Sequence, residues 1–210
     1  MVDTSKFVLF LTAAVLLAIA PGPGMLYVLA RSLAGGRREG VLSALGTFVG
    51  GMVHVLAAAA GISVVLARSA MAFATVKYAG AAYLCFLGVR MILAARRDGD
   101  EMPIGSLPRA RNPFWQGITT EVLNPKTALF FLSFIPQFVH REAGHVFWQF
   151  LLLGAISVTL NTSADLVVTM FAGPLGNRIR SSPRFRRAQR TTTGGIMIGL
   201  GTYLAVSKAE

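Results

Sequence analysis

Asp165 stands in a long apolar run with Ser157, Asn161 and Thr169. The four recur every four residues, so on a helix they form one polar stripe. An ionisable side chain in such surroundings is costly and marks a functional candidate. A carboxyl group there can bind a substrate ammonium or carry a proton; the competing role is a structural pair with an arginine at the helix end. Glu121 precedes Asn124 by one helical turn and shares its face, and Lys126 follows closely. That lysine can pair with Glu121 or Asp165, or attract a carboxylate. His54 falls on a face with Thr47 and Gly50, where it can relay a proton or hydrogen-bond a neighbouring helix. Proton handling is therefore expected at Asp165, Glu121 and His54.

Backbone chemistry supplies the second set. Pro21-Gly22-Pro23-Gly24 and Asn124-Pro125-Lys126 both interrupt apolar stretches near their middles. Proline removes a backbone donor and clashes with the carbonyl one turn earlier, so helical bonding stops. Free carbonyls and amides are tolerated at membrane depth only where protein or a water-filled cavity receives them. Each new helix start presents N–H groups suited to a carboxylate. The expected substrate-binding residues are thus Pro21, Gly22, Pro23, Gly24, Asn124, Pro125, Lys126, Asn161 and Asp165, with the carboxylate near Gly24 and Lys126 and the ammonium at Asp165.

Other chemistries find little support. The single cysteine, Cys85, excludes an intrachain disulfide and a multi-thiolate metal site and reads as a small buried hydrophobe. His140 and His145 have a spacing that does not favour a shared metal, and the serines lack a nearby histidine that could serve as base. No enzyme activity, cofactor or metal is expected. The charge of +11 does not indicate nucleic acid, because the arginines sit in short segments between apolar runs rather than in a soluble basic domain.

The elements that must position these groups are membrane helices. Of 210 residues, 54% are hydrophobic and 14% charged, against about a quarter charged in a soluble domain. Apolar stretches cover roughly Phe7–Ala30, Val41–Ala67, Ala70–Ala95, Phe114–Phe138, Val146–Ala172 and Thr192–Ser207, near the length that spans a bilayer as helix. The N-terminal stretch imitates a signal peptide, but the apolar character continues to Ala30 and Pro21 would follow the cleavage motif, so it reads as a retained span. The segment between Arg96 and Asn112, with Pro103, Gly105 and Pro108, reads as an irregular loop. Thirteen arginines fall in the first, third and fifth connections and five basic residues on the other side. That asymmetry makes the odd connections cytoplasmic and both termini periplasmic. The Arg178–Arg190 run reads as this signal plus contact with lipid head groups.

The two proline breaks are about 104 residues apart, and Val41 and Val146 repeat nearly the same offset. Three spans is an odd number, so the second set crosses in the opposite sense. The chain is thus expected to be one all-α integral membrane domain, 1–210, of six transmembrane helices in two inverted three-helix repeats, about 1–108 and 109–210, with the first and fourth helices broken. Matching broken helices in inverted halves point to a transport site. Gly46, Gly50 and His54, and separately Gly195 and Gly199, give the spacing for close helix contact, within the chain or in a homodimer.

Ala20-Pro21-Gly22-Pro23-Gly24, together with Leu123-Asn124-Pro125-Lys126-Thr127-Ala128-Leu129-Phe130-Phe131 running on to Phe134-Ile135-Pro136-Gln137-Phe138, resembles the LysE/RhtB amino-acid exporters. Gly80-Ala81-Ala82-Tyr83-Leu84 with Gly88, Phe114 with Gly117, and His54 agree more weakly. The resemblance covers essentially the whole chain. It implies a six-helix exporter in the bacterial inner membrane, driven by an ion gradient, whose proline motifs line the path of an amino acid. Glu121 departs from it, standing where members often carry an uncharged polar residue; this adds a proton site or biases the substrate toward a cation. The function expected is secondary, proton-coupled export of amino acids or similar small zwitterions by alternating access. The alternative is a metal-ion exporter of the same wider fold group.

Overall fold

The computed structural model describes residues 4–68, 70–96, 112–140, 143–172 and 182–206, and every regular element among them is helical. In chain order these are α1 (Thr4–Ile19), α2 (Pro23–Arg68), α3 (Ala70–Arg96), α4 (Pro113–Val122), α5 (Pro125–Leu129), a π turn (Phe130–Phe134), a 3-10 turn (Ile135–Phe138), α6 (Val146–Met170) and α7 (Pro183–Val206). By length and hydropathy, Pro23–Gly61 and Val146–Met170 are able to cross a membrane. Helix α3 has 27 residues, about 40 Å at 1.5 Å per residue and longer than the hydrocarbon core of a bilayer.

The breaks fall where proline dictates. Helix α1 closes its last bond from Ala20 N to Leu16 O at 3.1 Å, and α2 opens with Leu26 N to Gly22 O at 3.0 Å. Helix α4 likewise ends with Leu123 N to Thr119 O, and α5 begins with Ala128 N to Asn124 O. Beyond α5 the chain departs from a simple continued span. Pro136 cannot supply the N–H that an α-helix would aim at Leu132 O, and the backbone passes from the wide π turn into the tight 3-10 turn.

Two boundaries differ from expectation. The first connection, anticipated as a loop carrying Arg31, Arg37 and Arg38, is helical on both sides of Gly36, whose φ of 75° and ψ of −171° alone interrupt it. Glycine without a Cβ takes this conformation at little steric cost, and Arg31 and Glu39 face each other across the bend at 3.8 Å. Helix α7 starts at Pro183, nine residues ahead of the anticipated Thr192, because the arginines of its first turns are no obstacle to helix formation. The expected loop between Arg96 and Asn112 and the first part of the Arg178–Arg190 run lie outside the described residues.

Helix α2 packs against α4 and α6, α3 against α7, and α1 against α6. The close approaches use glycine. Gly46 and Gly117 face each other across α2 and α4, and Gly88 and Gly194 across α3 and α7. The face of Gly46 and Gly50 is therefore used inside the chain, whereas nothing lies within 4 Å of a methyl built on Gly195 or Gly199. One core cluster joins α1, α2, the π and 3-10 turns and α6, with Phe10, Phe130, Phe134 and Phe150 fully buried.

Candidate functional site

At each break a side chain from elsewhere replaces the missing proline N–H. Pro21 leaves Leu17 O without its usual partner, and Lys126 Nζ donates to it at 3.0 Å and to Ala20 O at 2.8 Å. The lysine stem lies over Gly22, where an added Cβ would come 3.1 Å from both Cδ and Nζ. Pro125 removes the usual donor of Glu121 O in the same way; that oxygen accepts from Asn124 N at 3.0 Å, and His54 Nε2 lies 2.9 Å from it. A carbonyl oxygen only accepts, so Nε2 carries the hydrogen in this contact. Negative carbonyl ends of α1 and α4 are thus met by a lysine and a histidine, in keeping with the helix dipole.

The acidic partner sits beside the other half-helix. Glu121 is 3% exposed and accepts from Asn124 Nδ2 at 3.1 Å and Thr127 Oγ1 at 2.6 Å. A methyl on Gly24 would collide with Glu121 Oε2, so the carboxyl group abuts the first turn of α2. The α5 start is capped within its own loop, Asn124 Oδ1 accepting from Lys126 N at 3.1 Å. The protein's own groups therefore stand at the two places where a substrate carboxylate was anticipated. Pro23 and Pro125 are exposed and act through the backbone, whereas Gly22, Gly24, Asn124 and Lys126 are buried.

Asp165 is 0% exposed on α6. Its Oδ2 lies 3.1 Å from Thr47 Oγ1, a hydroxyl also 2.9 Å from Ala44 O, and its Oδ1 has no hydrogen-bond partner among the described residues. One turn on, Thr169 Oγ1 donates to Asp165 O and meets Ser32 Oγ at 3.2 Å. Ser157, Thr169 and Asp165 are buried, as their common stripe requires.

Glu121, Lys126, Thr127, Thr47, Ser157 and Asn161 line a cavity of about 30 Å³, with Phe130 and Phe131 as its apolar wall. At roughly 10–15 Å³ per water this has room for about two waters and too little for an amino acid. Stacked and tilted rings of Phe130, Phe134 and Phe138, with Phe10 edge-on, belong to the core cluster beside it. The structure thus brings Gly22, Gly24, Glu121, Asn124, Lys126 and Asn161 together. His54 joins them through the Glu121 carbonyl, and Asp165 through Thr47. Sequence reasoning passed over Thr47 and Thr127 as site residues. Thr127 follows Lys126 in the broken motif and Thr47 shares the His54 face, so position alone could have raised both. Among the described residues no three His, Cys, Asp or Glu side chains converge as metal ligands would.

The comparisons with known proteins agree on one family. The sequence model of the LysE type translocators matches residues 15–208. An uncharacterized membrane protein of Vibrio cholerae is 31% identical over 99% of this chain and 100% of its own length. One of Pseudomonas aeruginosa is 33% identical over 97% and 96% of the two chains. The membrane protein YrhP of Bacillus subtilis is 29% identical over 94% and 97%. No solved structure matches the chain. A polytopic helical chain with charged groups gathered at two broken helices, matched over nearly its whole length by this family, belongs to the LysE type translocators, which are membrane transporters.

Proposed function

We propose that the protein is a secondary exporter of amino acids or similar small zwitterionic solutes from the cytoplasm, coupled to protons. The observation that carries the reading is the meeting of both broken helices at one small pocket, with Lys126 and Glu121 at opposite poles of the α1–α2 break. A zwitterion has the complementary pair of charges, and a helix end with exposed carbonyls and a helix start with exposed amides suit them. In this reading the chain is one membrane domain of six spans in the bacterial inner membrane, both termini periplasmic. The halves about 1–108 and 109–210 are inverted repeats, a relation supported by the pairings of α2 with α6 and α3 with α7. The pocket, too small for an amino acid as it stands, then enlarges as one half rocks against the other in alternating access.

The test is efflux of preloaded, labelled amino acids with cationic, hydroxylated and branched side chains, with and without a protonophore. Cells producing the protein should release one class faster, and both the protonophore and Asp165→Asn should abolish the gain. Unchanged efflux of every amino acid, with the protein shown in the membrane, would overturn the reading.

A further inference from the structure

We infer that the Leu17 and Ala20 carbonyls are the seat of the substrate's ammonium group, that Lys126 occupies this seat in the empty protein, and that its displacement toward Asp165 expels a proton. The inference rests on the exporter reading above and assigns the coupling step to a residue that need never touch the proton.

The seat is built. Two carbonyl oxygens at the end of α1, one released by Pro21, hold a primary ammonium at 3.0 and 2.8 Å beside the cavity. They belong to the backbone and are fixed by the helix, while the occupant hangs on a flexible four-carbon stem. The seat recognises an ammonium and nothing more specific, so the α-ammonium of an amino acid satisfies it equally well. The displaced lysine needs a new partner. The carboxyl groups that act on it are Glu121 and Asp165. Glu121 already accepts from Asn124 and Thr127 and abuts the start of α2. Asp165 Oδ1 is buried and has no partner among the described residues, which leaves it to receive Lys126.

The surroundings of Asp165 support a neutral carboxyl group better than an anion. Among the described residues its side chain meets the Thr47 hydroxyl, whose single hydrogen is also within reach of Ala44 O. A carboxylate wholly out of water with half a hydrogen bond is poorly supported, whereas a neutral carboxyl can donate to Thr47 while Thr47 donates to Ala44 O. The charged groups acting on it are Glu121 from α4 and Lys126 from α5, and α2 contributes the uncharged Thr47. An ammonium beside Oδ1 stabilises the ionised form. The Asp165 O–H bond then breaks, its proton passes to water, and Lys126 remains an ammonium throughout. Substrate and proton compete through the lysine, which is the linkage an antiporter requires.

The experiment uses the full chain purified in detergent. Each of the proteinogenic L-amino acids is titrated calorimetrically in two buffers of different ionisation enthalpy, which counts protons released per ligand bound. For each amino acid that binds, its N-acetyl derivative and its deaminated acid serve as probes without an ammonium. Wild type should release about one proton per amino acid and bind neither probe. Lys126→Met should bind the amino acid more tightly, the seat being free, and release none. Undiminished proton release in Lys126→Met, weaker amino-acid binding in that variant, or equal binding of the N-acetyl probe would overturn the inference. Should Lys126→Met fail to fold, Asp165→Asn decides: release must vanish there too, and its survival is a refutation. If wild type binds amino acids without this pattern, the inference alone falls; if it binds none, the exporter reading falls with it.

Discussion

Gly117→Ala tests whether the site depends on the spacing of α2 and α4. A methyl at Gly117 would lie 2.6 Å from Ser43 O, 3.1 Å from Gly46 Cα and 3.2 Å from Thr47 N, all backbone atoms of α2 that no rotamer change can move. An ordinary carbon–oxygen contact needs about 3.3 Å, so the helices must part by about 0.7 Å. Parting on that scale forfeits a quarter or more of each dispersion contact across the interface, and overpacking of this kind costs about 1–3 kcal/mol. Alanine returns about 0.8–1.0 kcal/mol of helix propensity, leaving a net loss of about 1 kcal/mol. The same parting stretches the 2.9 Å contact of His54 with Glu121 O to about 3.6 Å, beyond a hydrogen bond. Gly195→Ala is the control, because nothing lies within 4 Å of its added methyl; it should gain about 0.5–1 kcal/mol from propensity alone. Thermal unfolding of the two purified variants should separate them by several degrees, with Gly117→Ala the lower and efflux lost in that variant alone. Equal melting of the two would refute the claim that backbone contact at Gly46 and Gly117 holds α4 in place.

His54→Gln should retain most efflux and stability, because a side-chain amide can still donate to Glu121 O, while His54→Leu should lose about 0.5–1.5 kcal/mol, the worth of one hydrogen bond to a carbonyl that keeps Asn124 N as its other donor. Loss of proton coupling in His54→Gln, with melting unchanged, would instead make His54 a proton relay. Gly36→Ala should cost about 1–3 kcal/mol, since a side chain at φ 75° and ψ −171° is strained; limited proteolysis and melting read the loss, and an unaltered variant would show that the bend relaxes freely.

Proline's missing N–H is a covalent fact, so both breaks, after Ala20 and at Asn124, were legible from the sequence without any neighbour. So was burial of Ser157, Asp165 and Thr169, because a stripe at helical spacing points one way whatever packs on it. The start of α6 at Val146 followed from the same pattern. Boundaries set by charge were less legible: Arg31 and Arg184 signal a membrane edge, yet a helix runs through both positions.

The partners of the freed carbonyls were a matter for the tertiary structure. Lys126 reaches Leu17 O and Ala20 O across 109 and 106 residues, and His54 reaches Glu121 O across 67. A lysine with several acceptors in range has no preferred one until packing places them, and Lys126 takes backbone carbonyls where pairing with Glu121 or Asp165, or attraction of a substrate carboxylate, was expected. Glu121 became the neighbour of Gly24 for a similar reason, since α2 and α4 touch through glycines that bring their backbones close. Local covalent geometry determined where this chain must leave hydrogen bonds unmade; the long-range packing of α1, α2, α4 and α5 decided which side chains complete them, and thereby where charge stands in the site.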